Sequence, residues 1–239
     1  MEGTVQSEPE AGWLRPAGLL VVLVSVLAVP PFLPERLYGF PVAEGFLFLA
    51  LLAGVASTSP RRCRLALVGL AVFALAGRVS GGFETQALAS GDGDKPLLQA
   101  LVLVAYMAFF ALVGMALGER LLKVRRVSVE TLCTAFSLYL LLGFFWTAAF
   151  ALLEFYSPQS FTFTVDTPHL EDRFDRFLGF SFTTLTTLGY GNISPATPRA
   201  DALAILEAIA GQAFLAIVIA RLVSLQLVQG DAGVGGRPE

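Results

Sequence analysis

Charge is scarce in this sequence: 15% of its 239 residues are Asp, Glu, Lys or Arg, whereas 55% are hydrophobic and the mean hydropathy is +0.70. No soluble domain of this length needs so much apolar surface, so the composition is that of an integral membrane protein. Soft metal donors are nearly missing as well. Two cysteines, Cys63 and Cys133, and a single histidine, His169, are too few for a zinc cluster. No segment of the chain repeats another, and nothing suggests a nucleic-acid partner. The run from Leu97 to Gly118 contains no charged residue at all. Moving arginines through a membrane field is worth about 2.3 kcal/mol per charge per 100 mV, and that stretch has none to move. It therefore excludes an arginine-based voltage sensor.

What is present is a series of long apolar runs. A bilayer span takes about 20 apolar residues, and six stretches qualify. They run from about Pro16 to Leu33, Pro41 to Ser57, Arg64 to Ser80 with Arg78 near its end, Leu97 to Gly118, Val129 to Leu153, and Leu203 to Val228 with Glu207 and Arg221 inside it. Short loops rich in Lys and Arg stay on the cytoplasmic side. Arg61, Arg62 and Arg64 join spans two and three, and Arg120, Lys123, Arg125 and Arg126 join spans four and five. Both loops are then inside, both termini are cytoplasmic, and the protein is expected to be a multi-pass protein of the plasma (inner) membrane. The loop between spans three and four, with Glu84, Asp92 and Asp94 against Lys95, is outside. Cys63 and Cys133 fall on the reducing side, where a disulfide does not persist. The first run is a poor signal peptide, because Glu2, Glu8 and Glu10 precede it and Ala28-Val29-Pro30 makes a weak cleavage site.

Between the last two spans lies Thr186-Thr187-Leu188-Gly189-Tyr190-Gly191-Asn192, preceded without a break by the apolar, threonine-rich stretch Phe174 to Thr186. Gly189 and Gly191 can adopt left-handed backbone angles at little cost, which lets successive carbonyls point the same way instead of alternating as in a strand. This run resembles the selectivity filter of tetrameric potassium channels, in which backbone carbonyls replace the hydration shell of the ion. Leu188 stands where that family has Val, in Thr-Leu-Gly-Tyr-Gly for Thr-Val-Gly-Tyr-Gly.

The resemblance implies an all-α membrane protein: six transmembrane helices, with a re-entrant pore helix and selectivity filter between helices five and six. It implies permeant K+ coordinated at Thr187, Leu188, Gly189 and Tyr190, with Gly191 and Asn192 at the outer mouth. One filter strand cannot surround an ion, so the expected unit is a homotetramer around a central pore. The expected division is 1–118, a four-span amino-terminal membrane domain; 119–128, an amphipathic cytoplasmic linker; 129–228, the pore domain; and 229–239, a short cytoplasmic tail too small for a ligand-binding domain. The linker interleaves Leu121, Leu122, Val124 and Val127 with Arg120, Lys123, Arg125 and Arg126. Such a segment lies along the membrane surface, as a topological anchor or as a site for anionic lipid heads.

Four residues are candidates for gating or filter support: Thr183, Thr186, Glu207 and Gly211. Gly211 follows Gly191 by twenty residues, where members of the family carry a proposed hinge; close helix packing is the other reading. Glu207 is one turn earlier on the same face, and an ionisable group at membrane depth needs a reason. It is either a proton sensor or a hydrogen-bonding anchor to the pore helix, with threonines 183, 184 and 186 as available partners. Asn192 replaces the Asp of many members and Thr183 the Glu that pairs with it, so inactivation behaviour does not carry over. The outer loop, Glu154 to Arg176, is net acidic and concentrates cations modestly; His169 within it is a solvated loop residue or a sensor of external pH.

Two other classes fit parts of the pattern. A non-selective cation channel would share the architecture and pass sodium. A six-span intramembrane hydrolase would use a serine such as Ser181, but His169 lies in the outer loop and offers no base within the membrane.

Overall fold

The structure, a computed structural model, describes residues 14–29, 68–70, 72, 95–164 and 173–234. Span two, span three apart from residues 68–70 and 72, Cys63 and His169 lie outside the described residues. Within them are five α-helices and two short strands: α1 (Leu14–Ala28), α2 (Lys95–Lys123), α3 (Val129–Tyr156), β1 (Phe161–Phe163), α4 (Arg173–Leu185), β2 (Ile193–Pro195) and α5 (Pro198–Val234). Three helices are long and apolar enough to cross a membrane, over Leu97–Lys123, Val129–Tyr156 and Pro198–Leu227. The protein is a mainly helical membrane protein. At 15 residues, α1 spans about 22 Å, short of the ~30 Å hydrocarbon core.

The helix ends have local causes. Ser128 is the N-cap of α3, its Oγ accepting from Thr131 N, and Glu130 sits in the first turn, where the helix dipole favours an anion. Thr197 plays the same part for α5, its Oγ1 accepting from Ala200 N at 3.4 Å and its carbonyl from Asp201 N at 3.0 Å, with Pro198 at the first helical position. That start lies five residues before Leu203, where the hydropathy begins. At the other end, α5 continues through Val234, so residues 229–234, read as tail, extend the helix. The proposed linker is likewise half helix. Residues 119–123 belong to α2, because Leu, Arg and Lys are good helix formers and Glu119 pairs with Lys123 one turn on, at 3.4 Å.

Residues 124–128 turn the chain so that α2 packs back on α3, and α1 also rests on α3. Their shared core holds Leu19, Leu23, Val102, Tyr106, Phe109, Phe110 and Phe144. Helix α4 is held between α3 and α5. The two strands pair antiparallel, Phe161 opposite Pro195, Thr162 opposite Ser194 and Phe163 opposite Ile193.

Candidate functional site

Phenylalanine fixes α4. Phe177, Phe180 and Phe182 on α4 meet Phe150 and Phe144 on α3 and Phe161 on β1, with ring centroids 4.9 Å apart for Phe150 and Phe180, 4.8 Å for Phe161 and Phe177 and 5.6 Å for Phe144 and Phe182. All three pairs are edge-on, a geometry that contributes about 0.5–1.5 kcal/mol each beyond the area they bury. Gly143 makes room for one of them: a Cβ there would stand 2.7 Å from Cζ of Phe182.

The loop that follows α4 has an uncommon backbone. Left-handed φ angles recur at every second residue, 59° at Thr187, 57° at Gly189 and 75° at Gly191. A residue pattern that alternates between the two helical hands turns the peptide planes so that neighbouring carbonyls face one side. For the glycines this is inexpensive. For Thr187, a β-branched residue, it stores about 1–3 kcal/mol that the surroundings must hold. They do so through the end of α4: Thr183 O accepts from Leu188 N at 2.8 Å and Gly189 N at 3.1 Å, and Thr184 O accepts from Thr187 N at 3.0 Å. On the far side, Thr164 Oγ1 donates to Gly191 O at 3.1 Å and Thr164 N to Asn192 O at 2.9 Å. Leu188 and Tyr190 are 56% and 71% exposed in the single chain.

Beneath the loop, three helices meet through polar groups. Ser181 Oγ is 2.8 Å from Gly143 O and 2.5 Å from Glu207 Oε1. Ser181 and Glu207 are both fully buried. One turn on, Leu185 O accepts from Tyr139 Oη at 3.2 Å, and the Tyr139 ring rests on Phe214 of α5. Gly211 lies against the same carbonyl so closely that an added Cβ would collide with Leu185 O and stand 2.9 Å from Leu185 Cδ1. The helix α5 runs unbroken through this point, and the glycine lets it approach the end of α4 closely.

The partner of Glu207 is therefore Ser181, and not one of the threonines the sequence made available. Thr183 Oγ1 donates to Phe180 O at 3.0 Å and Thr186 Oγ1, one residue past the end of α4, donates back to Phe182 O at 2.7 Å. Sequence reasoning also missed two anchors. Glu154, assigned to the outer loop, sits in the last turn of α3 and accepts from Gln159 N and Ser160 N, each at 2.9 Å. Arg221 of α5 reaches the end of α2, where its Nη2 donates to Leu122 O and, at 3.2 Å, to Val124 O. A cation there meets the negative pole of α2. Asp166, Glu171 and Asp172 lie outside the described residues. Cys133 is a free thiol, and no group of His, Cys, Asp or Glu among the described residues is arranged to hold a metal.

Membrane-length helices α3 and α5 have a short helix and a glycine-bearing loop folded between them. Residues 127–226 match the model of a family described as Ion channel, so this part of the chain is similar to an ion-channel domain. No curated protein matches the chain.

Proposed function

We propose that the protein is a potassium-selective channel, conducting K+ passively through the loop Thr187 to Gly191, and that four copies of the chain surround the pore. The observation that carries the reading is the recurrence of left-handed φ at Thr187, Gly189 and Gly191, directly after a short helix whose carboxyl end points its partial negative charge at the loop. Carbonyls turned to one side form a row of oxygen ligands, and four such rows replace the water around a cation. Exposure in the single chain supports the assembly. Only 17% of the most apolar stretch of α5 is buried, against 50% for α2 and for α3. Ile205, Leu206, Ile209, Ile217 and Tyr190 are exposed, which suits a face covered by neighbouring copies.

In this reading α4 is the re-entrant pore helix, α3 and α5 are the outer and inner pore helices of domain 129–228, and residues 1–118 form a membrane domain without voltage-sensing arginines. The chain sits in the plasma membrane with both termini inside, and Arg120, Lys123, Arg125 and Arg126 face anionic lipid heads. Reversal potential tests it: purified protein in a planar bilayer, potassium on one side and sodium on the other. A value near the potassium equilibrium potential is expected. A value near zero with clear current would make the pore non-selective, and absence of current across pH and voltage would overturn the channel reading.

A further inference from the structure

The junction of α3, α4 and α5 contains more acceptor contacts than its hydroxyl can supply with protons. Ser181 Oγ is within hydrogen-bonding distance of both Gly143 O and Glu207 Oε1, yet a serine has one proton to give. Both contacts are hydrogen bonds at once only when one outer oxygen brings a proton of its own. Gly143 O is a carbonyl, already accepting from Thr147 Oγ1 at 2.8 Å, and has none. The carboxyl of Glu207 is the remaining source.

We propose that Glu207 is a protonated carboxylic acid whose Oε1–H donates to Ser181 Oγ, which in turn donates to Gly143 O, and that this relay makes Glu207 and Ser181 positioning residues for the ion filter. The second oxygen of Glu207 agrees. Oε2 is buried and has no hydrogen-bond partner among the described residues. Leaving one oxygen of an ionised carboxylate bare in a dry site is far costlier than leaving a neutral carbonyl oxygen bare. Among the described residues no ion pair to Glu207 compensates for a charge there. The titratable group facing Glu207 from α3 is Tyr139, whose hydroxyl is already given to Leu185 O. On α4, Arg173, Asp175 and Arg176 lie in the opening turns, ahead of Ser181, and on α5 the nearest charged residues are Asp201 and Arg221.

The relay bears on the filter because Ser181 is one turn before Leu185, the last residue of α4, and the carbonyl of Thr183 between them holds two filter amides. Removing the proton converts the donor into a second acceptor, so Ser181 must abandon either α3 or α5. An ionised carboxylate is the stronger acceptor, so the serine keeps Glu207 and releases Gly143 O; the outer helix is then no longer tied to the pore helix at this point, and the row of carbonyls loses its fixed spacing. The relay rests on the channel reading for its consequence, though not for its chemistry.

Two measurements on the full chain in liposomes test it. Infrared difference spectra between the wild type and Glu207→Gln should show a carboxylic-acid carbonyl band lost in the variant. A carboxylate band lost instead overturns the relay whether or not the protein conducts, which separates its failure from failure of the channel reading. The second measurement is the potassium-to-sodium permeability ratio as pH is raised. The wild type should lose about tenfold, the effect of one hydrogen bond, while Glu207→Gln, whose amide N–H replaces the acid O–H, stays level. An alkaline fall that persists in Glu207→Gln, or one abolished only by Tyr139→Phe, overturns the proposal.

Discussion

Substituting Gly211 with alanine decides between two meanings of that glycine, because they differ in sign. Were Gly211 only a point of helix flexibility, alanine would stiffen α5 and stabilise it by about 1 kcal/mol, the helix-propensity difference between the two residues. The structure places an obstacle that propensity does not see. The added methyl meets the carbonyl oxygen of Leu185, with Leu185 C at 3.2 Å and Cδ1 at 2.9 Å behind it. Two of these atoms are backbone at the end of a helix pinned by Tyr139 and the phenylalanine cluster, so no rotamer change relieves the clash. Overpacking of this kind costs about 1–3 kcal/mol, and a rigid backbone obstacle belongs at the upper end. Subtracting the propensity gain leaves a destabilisation of about 2 kcal/mol per chain, roughly a 30-fold shift in a two-state equilibrium. For a chain of this size that lowers the thermal midpoint by about 4–8 °C. Thermal unfolding of the detergent-solubilised protein reads it directly. A midpoint equal to or above that of the wild type would refute the argument from contact, and a normal midpoint with an altered open probability would favour the hinge.

Gly143→Ala is expected to cost less, about 1 kcal/mol, since its methyl meets the outer edge of the Phe182 ring and not main chain; a thermal midpoint lower than that of Gly211→Ala would contradict this. Glu154→Gln keeps the shape but removes the charge that accepts from Gln159 N and Ser160 N, and should lose about 1–2 kcal/mol, read in the same unfolding assay. Arg221→Lys should raise hydrogen exchange at the end of α2, because the shorter lysine side chain does not carry its nitrogen to the place from which Nη2 of Arg221 donates to both carbonyls; unchanged protection there would mean the contact carries no energy.

The long helices were legible because absence of charge over about 20 residues has few meanings. The left-handed backbone at Gly189 and Gly191 was legible because glycine at alternate positions restricts what a backbone is for. The buried partners of Glu207 were not. Ser181, Thr183, Thr184 and Thr186 are chemically alike, and only the phase of α4 as it is clamped by phenylalanines selects Ser181 to face α5. Arg221 was visible as a charge within a span, but its partners are main-chain carbonyls ninety-nine and ninety-seven residues away, which no side-chain pattern advertises. The β1–β2 pair was hidden for a related reason: its three-residue strands are joined across α4 and the loop after it, whereas sequence signals for hairpins are local. One miss was avoidable. Thr197-Pro198 followed by Asp201 is an ordinary helix start, and hydropathy alone placed it too late.

That distant strand pair has a bearing on how such a molecule is made. Phe163 beside Ile193 ties residues 164–192 into a loop closed at its neck, so the cost of bringing the two ends together, which grows only slowly with loop length, is met within one polypeptide. In the proposed assembly of four copies, each chain therefore arrives with its loop already bent.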